Sequence, residues 1–159
     1  MSMTSKGPIE LVPIGTIRTG FSRLDQCPTM ARHNPDQSTI ELFDEYGEGL
    51  REVELVSHLH VVYWCHKAVR NKLMRRPSND GSPQRGIFVS RSPHRPNPIA
   101  VSVVRVISRD GNLLTVSGLD CLDGTPLLDL KPYSPPDDSV ADATVQWQAC
   151  PSRVPASAQ

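Results

Sequence analysis

The segment SRSPHRPNPIAVSVVRV, residues 90–106, concentrates side chains that bind anions on a loop interrupted by three prolines. Proline fixes φ and biases the preceding residue towards extended backbone, so this loop is stiff before any ligand arrives. Arginines held in a set geometry suit carboxylates and phosphates, which they grip with two parallel hydrogen bonds. The polar members are Arg91, His94, Arg95 and Asn97. The pattern predicts a preorganised anion-binding loop. The alternative is a long loop that the prolines merely shape, with its arginines paired to acidic turns.

Two further segments carry side chains suited to a binding site. In GLDCLDGTPLLDLKPY, residues 118–133, Asp120 and Asp123 flank a tight turn at a strand end. Carboxylates there can accept hydrogen bonds from a ligand's hydroxyls or ammonium, although aspartate before glycine is also ordinary turn chemistry. Cys65, His66 and Lys67 follow the most apolar predicted strand, where a strand end can present polar groups to a cleft.

Several other kinds of site are not predicted. The four cysteines are far apart and form no CxxC pair, which indicates reduced thiols rather than a disulfide framework or a structural zinc site. His58 and His60 share one strand face near His66, but packed or surface histidines are commoner on a strand than metal ligands. The chain has no GxGxxG turn between strand and helix, no P-loop and no GxSxG elbow.

Short apolar runs bounded by turns predict an all-β domain, a barrel or a sandwich, because the chain's 15 prolines leave little room for long helices. The predicted strands are 9–17, 38–43, 55–65, 85–90, 99–108, 113–122, 125–130 and 143–147, with a short helical turn over 44–53. We expect one domain over residues 9–147, a flexible N-terminus over 1–8 and a flexible tail over 148–159.

The formal net charge of zero conceals opposed blocks. Residues 66–109 contain ten Lys or Arg against one acid, whereas 36–54 contain seven acids against one arginine. Such blocks favour a focused basic face over a uniformly basic surface, although ordinary solvated loops would give the same counts. No apolar run approaches the ~20 residues of a membrane span, and the N-terminus lacks the pattern of a signal peptide. We therefore expect a cytoplasmic protein without a membrane partner.

Four segments together resemble the TrmO/YaeB (VirR-like, TsaA-like) family of S-adenosylmethionine-dependent tRNA methyltransferases. They are GIFVSRSPHRPNPIAVSVVRV, GLDCLDGTPLLDLKPY, PIGTI and VSHLHVVYWCHKA, and the resemblance runs from about residue 11 to 137. It implies a single-sheeted, mostly antiparallel β-barrel and a homodimer that binds the methyl donor near the subunit interface. It also implies methylation of N6 of threonylcarbamoyladenosine, next to the anticodon of tRNA.

The resemblance also implies roles for individual residues. The donor site would comprise His66, Lys67, Arg91, Val101, Asp120, Cys121, Leu122 and Asp123. The RNA or substrate side would comprise Arg70, Lys72, Arg75, Arg76, His94, Arg95 and Asn97. His66 and Asp120 are the candidates for accepting the proton that the acceptor amine loses. Tyr63 and Trp64 are candidate platforms for a splayed base, but core packing is the favoured role for both.

The chain departs from the family at one motif. A Pro-Arg-Gln sequence follows the first strand in close members and helps to hold the donor, whereas the nearest counterpart here is Pro28-Thr29-Met30. Two alternatives therefore stay open beside a tRNA methyltransferase. One is a non-catalytic module that binds S-adenosylmethionine and regulates through protein contacts, and the other is methyl transfer to a small molecule or a protein.

Overall fold

Eight strands form in residues 7–28, 34–76 and 83–147, the parts of the chain that the computed structural model describes. They are β1 Gly15–Arg18, β2 Gln37–Leu42, β3 His58–Trp64, β4 Met74–Arg75, β5 Arg85–Gly86, β6 Ile99–Asp110, β7 Leu113–Ser117 and β8 Thr125–Pro132. Six of them close a barrel in the order β1-β2-β7-β6-β3-β8, and β4 pairs with β5 as a separate hairpin. Every pairing is antiparallel.

The barrel core follows from alternation along the strands. In β3 the side chains of Leu59, Val61 and Tyr63 are buried, while the residues between them point outwards and are half-buried. Ser102 and Val104 of β6 are buried in the same way. Because a strand's side chains alternate between its two faces, these positions line the inside of the closed sheet. The predicted all-β, single-sheeted antiparallel barrel is confirmed.

Helical structure in the described residues is short. The turn predicted over 44–53 is confirmed as two 3₁₀ segments, Asp44–Leu50 and Val53–Leu55, whose buried Leu50 and Val53 join the core. Further 3₁₀ turns lie at Leu24–Gln26 and Ile87–Val89, and a four-residue α-helix, α1, covers Pro135–Asp138.

One predicted strand forms only in its first two residues, and another does not form. Of 85–90 only Arg85–Gly86 is a strand, because the next residues form the 3₁₀ turn that Ser90 closes by donating its amide and hydroxyl to the Ile87 carbonyl. Residues 143–147 form no strand. The barrel is already closed when β8 pairs with both β1 and β3, so no barrel strand offers a free edge there.

Two other predicted strands are too long. The strand over 9–17 forms only from Gly15, since Pro13 lacks the amide hydrogen that a ladder needs. The strand over 113–122 ends at Ser117, where Gly118 turns the chain with a φ of 101°.

Most of the predicted flexible termini lie outside the described residues, which exclude 1–6 and 148–159. None of the helices in the described parts of the chain has the length and apolarity to cross a membrane. Within those same parts, no three His, Cys, Asp or Glu side chains gather in a way that would hold a metal ion.

Candidate functional site

A cleft of about 310 Å³ lies where the end of β3, the proline loop, the start of β6 and the turn before β8 meet. The 3₁₀ turn at Leu24–Gln26 and the residues after it form the remaining wall. The predicted site residues that line the cleft are His66, Lys67, Arg91, His94, Asp120, Cys121 and Leu122. Three distant stretches of sequence thus contribute charged or titratable side chains to one cleft.

The proline loop is held against the barrel by backbone contacts. The Cys65 amide donates to the Pro98 carbonyl at 2.8 Å, and Pro98 is fully buried. Arg91 Nη2 donates to the Val101 carbonyl at 2.6 Å, which fixes one arm of the guanidinium over the start of β6. Val101 contacts Arg91 through its backbone carbonyl, while its side chain faces the outside of the barrel and does not line the cleft.

Arg95 and Asn97, which the family resemblance assigns to the substrate side, do not line the cleft. Arg95 Nη1 donates to the Ser90 carbonyl at 3.1 Å, and its guanidinium carbon lies 6.0 Å from the centre of the Phe88 ring. The Asn97 carbonyl accepts the amide of Ile99 at 2.7 Å. Both residues brace the loop in this structure.

Asp120 is held from inside the barrel by a buried tyrosine. Tyr63 Oη donates to Asp120 Oδ1 at 2.8 Å and lies 3.0 Å from Ser102 Oγ. Burial raises the pKa of Tyr63, with a smaller contribution from the Asp120 charge, so its phenol stays protonated and donates to the carboxylate. Since a phenol has one hydrogen, the Ser102 hydroxyl must donate to Tyr63 Oη. These two hydrogen bonds, from Ser102 to Tyr63 and from Tyr63 to Asp120, orient one Asp120 oxygen and leave the other for the cleft.

The two aromatic residues at the end of β3 differ in environment. Tyr63 is 4% exposed, which confirms core packing. The core role predicted for Trp64 is wrong, because its ring is half-buried on the outer face with the Arg70 guanidinium carbon 5.2 Å from the ring centre. Arg70 also donates from Nε to the Pro96 carbonyl at 3.1 Å, so it braces the proline loop.

Asp123 lies in the turn beside the cleft and does not line it. Its Oδ1 accepts the Thr19 amide at 3.1 Å and its own amide donates to the Phe21 carbonyl at 2.8 Å. The following Gly124 has a φ of 75°, a conformation that favours glycine. The carbonyl oxygens of Cys121 and Leu122 also accept hydroxyl hydrogens within the protein, from Thr19 and Thr125.

The titratable groups of the cleft are tuned mainly by burial. Partial burial, and secondarily the charge of Lys67, lower the pKa of His66, so its imidazole is neutral near pH 7 and can accept a proton. Burial raises the pKa of Cys65 to about 11 and that of Cys121 to about 12, so both remain neutral thiols. Thiolate chemistry is therefore not supported.

Sequence reasoning missed the apolar and hydroxyl-bearing members of the cleft. These include Leu24, Cys27, Ala100 and Thr125, which line it beside Tyr63 and Cys65, two residues that the sequence did indicate. Pro28, at the start of the divergent motif, also lines it, whereas Thr29 and Met30 lie outside the described residues.

A basic groove of about 300 Å³ adjoins the cleft. Its cationic members are Lys72, Arg75 and Arg76, and His94 lines the groove as well as the cleft. In the described parts of the chain none of these three cations forms a salt bridge. The groove therefore offers unneutralised charge to an anionic partner.

Comparison with known proteins places most of the barrel in one family. The family model described as the tRNA-methyltransferase O N-terminal domain matches residues 16–139, which include every residue that lines the cleft.

Individual relatives agree with this match. A probable S-adenosyl-L-methionine-binding protein of Archaeoglobus fulgidus is 43% identical over 139 residues, which are 87% of this chain and 38% of that protein. The tRNA (adenine(37)-N6)-methyltransferase of Escherichia coli K12 is 34% identical over 114 residues, 67% of this chain and 48% of the enzyme. The crystal structure of TrmO from Pseudomonas aeruginosa superposes with a TM-score of 0.77 at 35% identity, covering 93% of this chain and 66% of that one.

Proposed function

This chain belongs to the tRNA-methyltransferase O family, and we propose that it transfers a methyl group from S-adenosylmethionine to N6 of an adenosine in tRNA. The finer proposal is that the acceptor is threonylcarbamoyladenosine next to the anticodon. The observation that carries the proposal is the cleft itself, where Arg91 and Lys67 lie with Asp120 in the region that the family model matches.

The residues of the cleft fit the methyl donor. Its methionyl carboxylate suits Arg91 and Lys67, and its ammonium and ribose diol suit Asp120, whose second oxygen is left for the cleft. Apolar Leu24, Ala100 and Leu122 provide surface for the adenine. The volume of about 310 Å³ falls at the lower end of the ~300–1,000 Å³ typical of ligand sites. When bound, S-adenosylmethionine supplies a methyl group on a positively charged sulfur.

We assign proton acceptance to His66. The acceptor nitrogen forms a bond to the methyl carbon as the carbon–sulfur bond breaks, and the amine must lose a proton. A neutral His66 imidazole in the cleft can take that proton, and Asp120 is the second candidate. Much of the remaining catalysis is positioning of the nitrogen in line with the methyl group, which the fixed loop and the Tyr63–Asp120 contact favour.

The tRNA would lie along the basic groove. Lys72, Arg75 and Arg76 supply charge for phosphates beside the cleft, and Arg70, packed against Trp64, is a further candidate cation. We propose that the protein acts in the cytoplasm, which is consistent with a tRNA substrate.

A homodimer is part of the proposal. Phe88 and Val89 are 75% and 54% exposed, and Ile99 and Val101 at the start of β6 are 37% and 38% exposed, all close in sequence to the proline loop. Exposed apolar side chains of this kind are typical of protein interfaces. Light scattering at micromolar concentration should give twice the chain mass of 17.5 kDa, and Phe88→Ser should shift the species towards the monomer. A monomeric wild-type protein would exclude a shared site.

The direct test of the activity compares tRNA nucleosides by mass spectrometry between a strain with this gene and a strain that lacks it. We expect a methyl mark on the modified adenosine to disappear and to return when the wild-type gene, but not an Asp120→Asn variant, is restored. An unchanged nucleoside profile would exclude tRNA as the acceptor.

A second candidate is a non-catalytic module that binds S-adenosylmethionine. It is favoured by Pro28-Thr29-Met30, which stands in place of the family's Pro-Arg-Gln motif. It is also favoured by the Archaeoglobus relative, which is named as a probable S-adenosyl-L-methionine-binding protein and not as a methyltransferase. Donor binding without any methyl product would identify this function.

A further inference from the structure

His94 stands where the cleft and the basic groove meet. Its side chain lines the cleft together with Arg91 and Asp120, and it lines the groove together with Lys72 and Arg75. A nucleotide whose phosphates lie in the groove and whose base reaches the cleft must pass this imidazole. The position is therefore suited to contact with the base itself.

One hydrogen bond fixes the tautomer of His94. The Val69 amide donates to His94 Nδ1 at 3.0 Å. A backbone amide can only donate, so Nδ1 must be unprotonated, and a neutral imidazole then carries its hydrogen on Nε2. His94 Nε2 therefore presents a donor, and it has no hydrogen-bond partner among the residues that the structure describes.

One hydrogen bond holds the His94 ring, and prolines stiffen the backbone around it. Val69 follows a turn in which the Ala68 amide donates to the Cys65 carbonyl at 2.9 Å, directly after β3. On the other side, Pro93 before His94 has a fixed φ, and Arg95 after it is restricted by Pro96, so the backbone next to His94 has few conformations. A donor held in this way loses little entropy when it meets a ligand.

Resting on the proposed function, we infer that His94 selects the acceptor nucleotide, with its Nε2–H donating to a ring nitrogen on the edge of the adenine to be methylated. Specific RNA recognition commonly works through splayed bases that are hydrogen-bonded on their edges. His94 is in this respect unlike His66, whose neutral imidazole is assigned the role of proton acceptor. The two histidines divide donation and acceptance between them.

Two substitutions distinguish the role of His94 Nδ1 from the role of His94 Nε2. In His94→Asn the side-chain oxygen can take the place of Nδ1 and accept the Val69 amide, but nothing replaces the Nε2 donor. In His94→Gln the longer side chain brings an amide NH₂ to the position of Nε2. Each variant is compared with wild type for kcat/KM on total tRNA from a strain lacking the gene and for the Kd of S-adenosylmethionine. The matched control is His58→Asn, a histidine on the outer face of β3 whose Nδ1 also has a hydrogen-bond partner, Ser57 Oγ at 3.0 Å.

We expect His94→Asn to lower kcat/KM for tRNA by about tenfold or more, the loss typical of an unpaired polar contact, with the Kd of S-adenosylmethionine unchanged. His94→Gln should keep several times more activity than His94→Asn, and His58→Asn should match wild type. Equal loss in both His94 variants, wild-type activity in His94→Asn, or a parallel loss of donor binding would overturn the role. Absence of methyl transfer by the wild-type protein would instead refute the proposed function, and this role with it.

Discussion

At the scale of single residues, the cleft combines charged side chains with a histidine whose pKa is lowered. Arg91 and Lys67 are cations, and Asp120 is oriented by the buried Tyr63 hydroxyl. His66 is the group whose proton affinity the site adjusts, through partial burial and the neighbouring Lys67. The site thus holds a ligand by charge and reserves one side chain for proton transfer.

The acid limb of the pH–rate profile tests His66. Because the pKa of His66 is lowered from 6.5, its neutral form persists below that pH, and kcat should fall only as pH drops through the lowered value. His66→Gln, which does not titrate, should remove that limb and slow transfer by roughly 10²–10⁴-fold. An unchanged acid limb in the variant would assign the proton to another group.

Removal of the Tyr63 hydroxyl should cost stability without emptying the core. Tyr63→Phe keeps the ring but leaves Asp120 Oδ1 and Ser102 Oγ without their shared partner. Denaturant unfolding should show a loss of about 1–3 kcal/mol, and adding Ser102→Ala should recover part of it by removing the stranded hydroxyl. Equal stability of Tyr63→Phe and wild type would show that water replaces the phenol.

The site residues were only partly predictable. Composition and spacing identified the proline loop and the turn at 118–124, because prolines and Asp-Gly pairs act locally. Tyr63 and Asp120, by contrast, are 57 residues apart, and their contact depends on the register of a closed sheet. No local pattern could show that a core tyrosine orients a cleft carboxylate.

At the scale of elements, closure of the barrel brings the parts of the site together. β3 pairs with β6 on one side and β8 on the other, so the loops at the end of β3, before β6 and before β8 converge. The pairing of β1 with both β2 and β8 completes the ring. The site therefore depends on strands that contribute no side chain to the cleft.

Gly15 provides a test of that closure. A Cβ at this position would collide with the backbone carbonyl oxygen of Glu41 on β2, which cannot move without opening the pair. Gly15→Ala should lower the free energy of unfolding by about 1–3 kcal/mol. The control is Gly20→Ala, where nothing lies within 4 Å of the added carbon and the expected change is within about 0.5 kcal/mol. Similar stability of the two variants would contradict the tight β1–β2 contact.

Element types were more predictable than their limits. Short apolar runs bounded by turns identified β2, β3, β6 and β8. Residues 85–90 have the same β-branched and aromatic composition, yet the loop geometry places Ile87–Val89 in a 3₁₀ turn. Residues 143–147 carry a strand-like composition but follow the closing strand, which is information that only the topology contains.

At the scale of the whole molecule, a net charge of zero is divided between opposed regions. The basic groove lies beside the cleft, where an anionic macromolecule would need it. Neutrality overall limits nonspecific attraction, while the groove concentrates positive potential near the site.

The salt dependence of tRNA binding tests whether the cations of the basic groove contact RNA phosphates. Replacing Lys72, Arg75 and Arg76 by glutamine should lower affinity and reduce the slope of log K against log salt by about two, at roughly 0.7 per phosphate contact on single strands. Arg18→Gln with Arg51→Gln is the matched control, since these arginines already pair with Glu41 and Glu48. An unchanged slope in the triple variant would show that the RNA binds to another face of the protein.

The most direct measurement is the binding of S-adenosylmethionine by calorimetry to wild type, Arg91→Ala and Arg105→Ala. Arg91 lines the cleft, whereas Arg105 is an exposed arginine of β6 that does not. Wild type should bind one donor per chain, Arg91→Ala should bind at least about tenfold more weakly, and Arg105→Ala should match wild type. No binding by wild type, or equal binding by Arg91→Ala, would contradict the assignment of this cleft as the methyl-donor site.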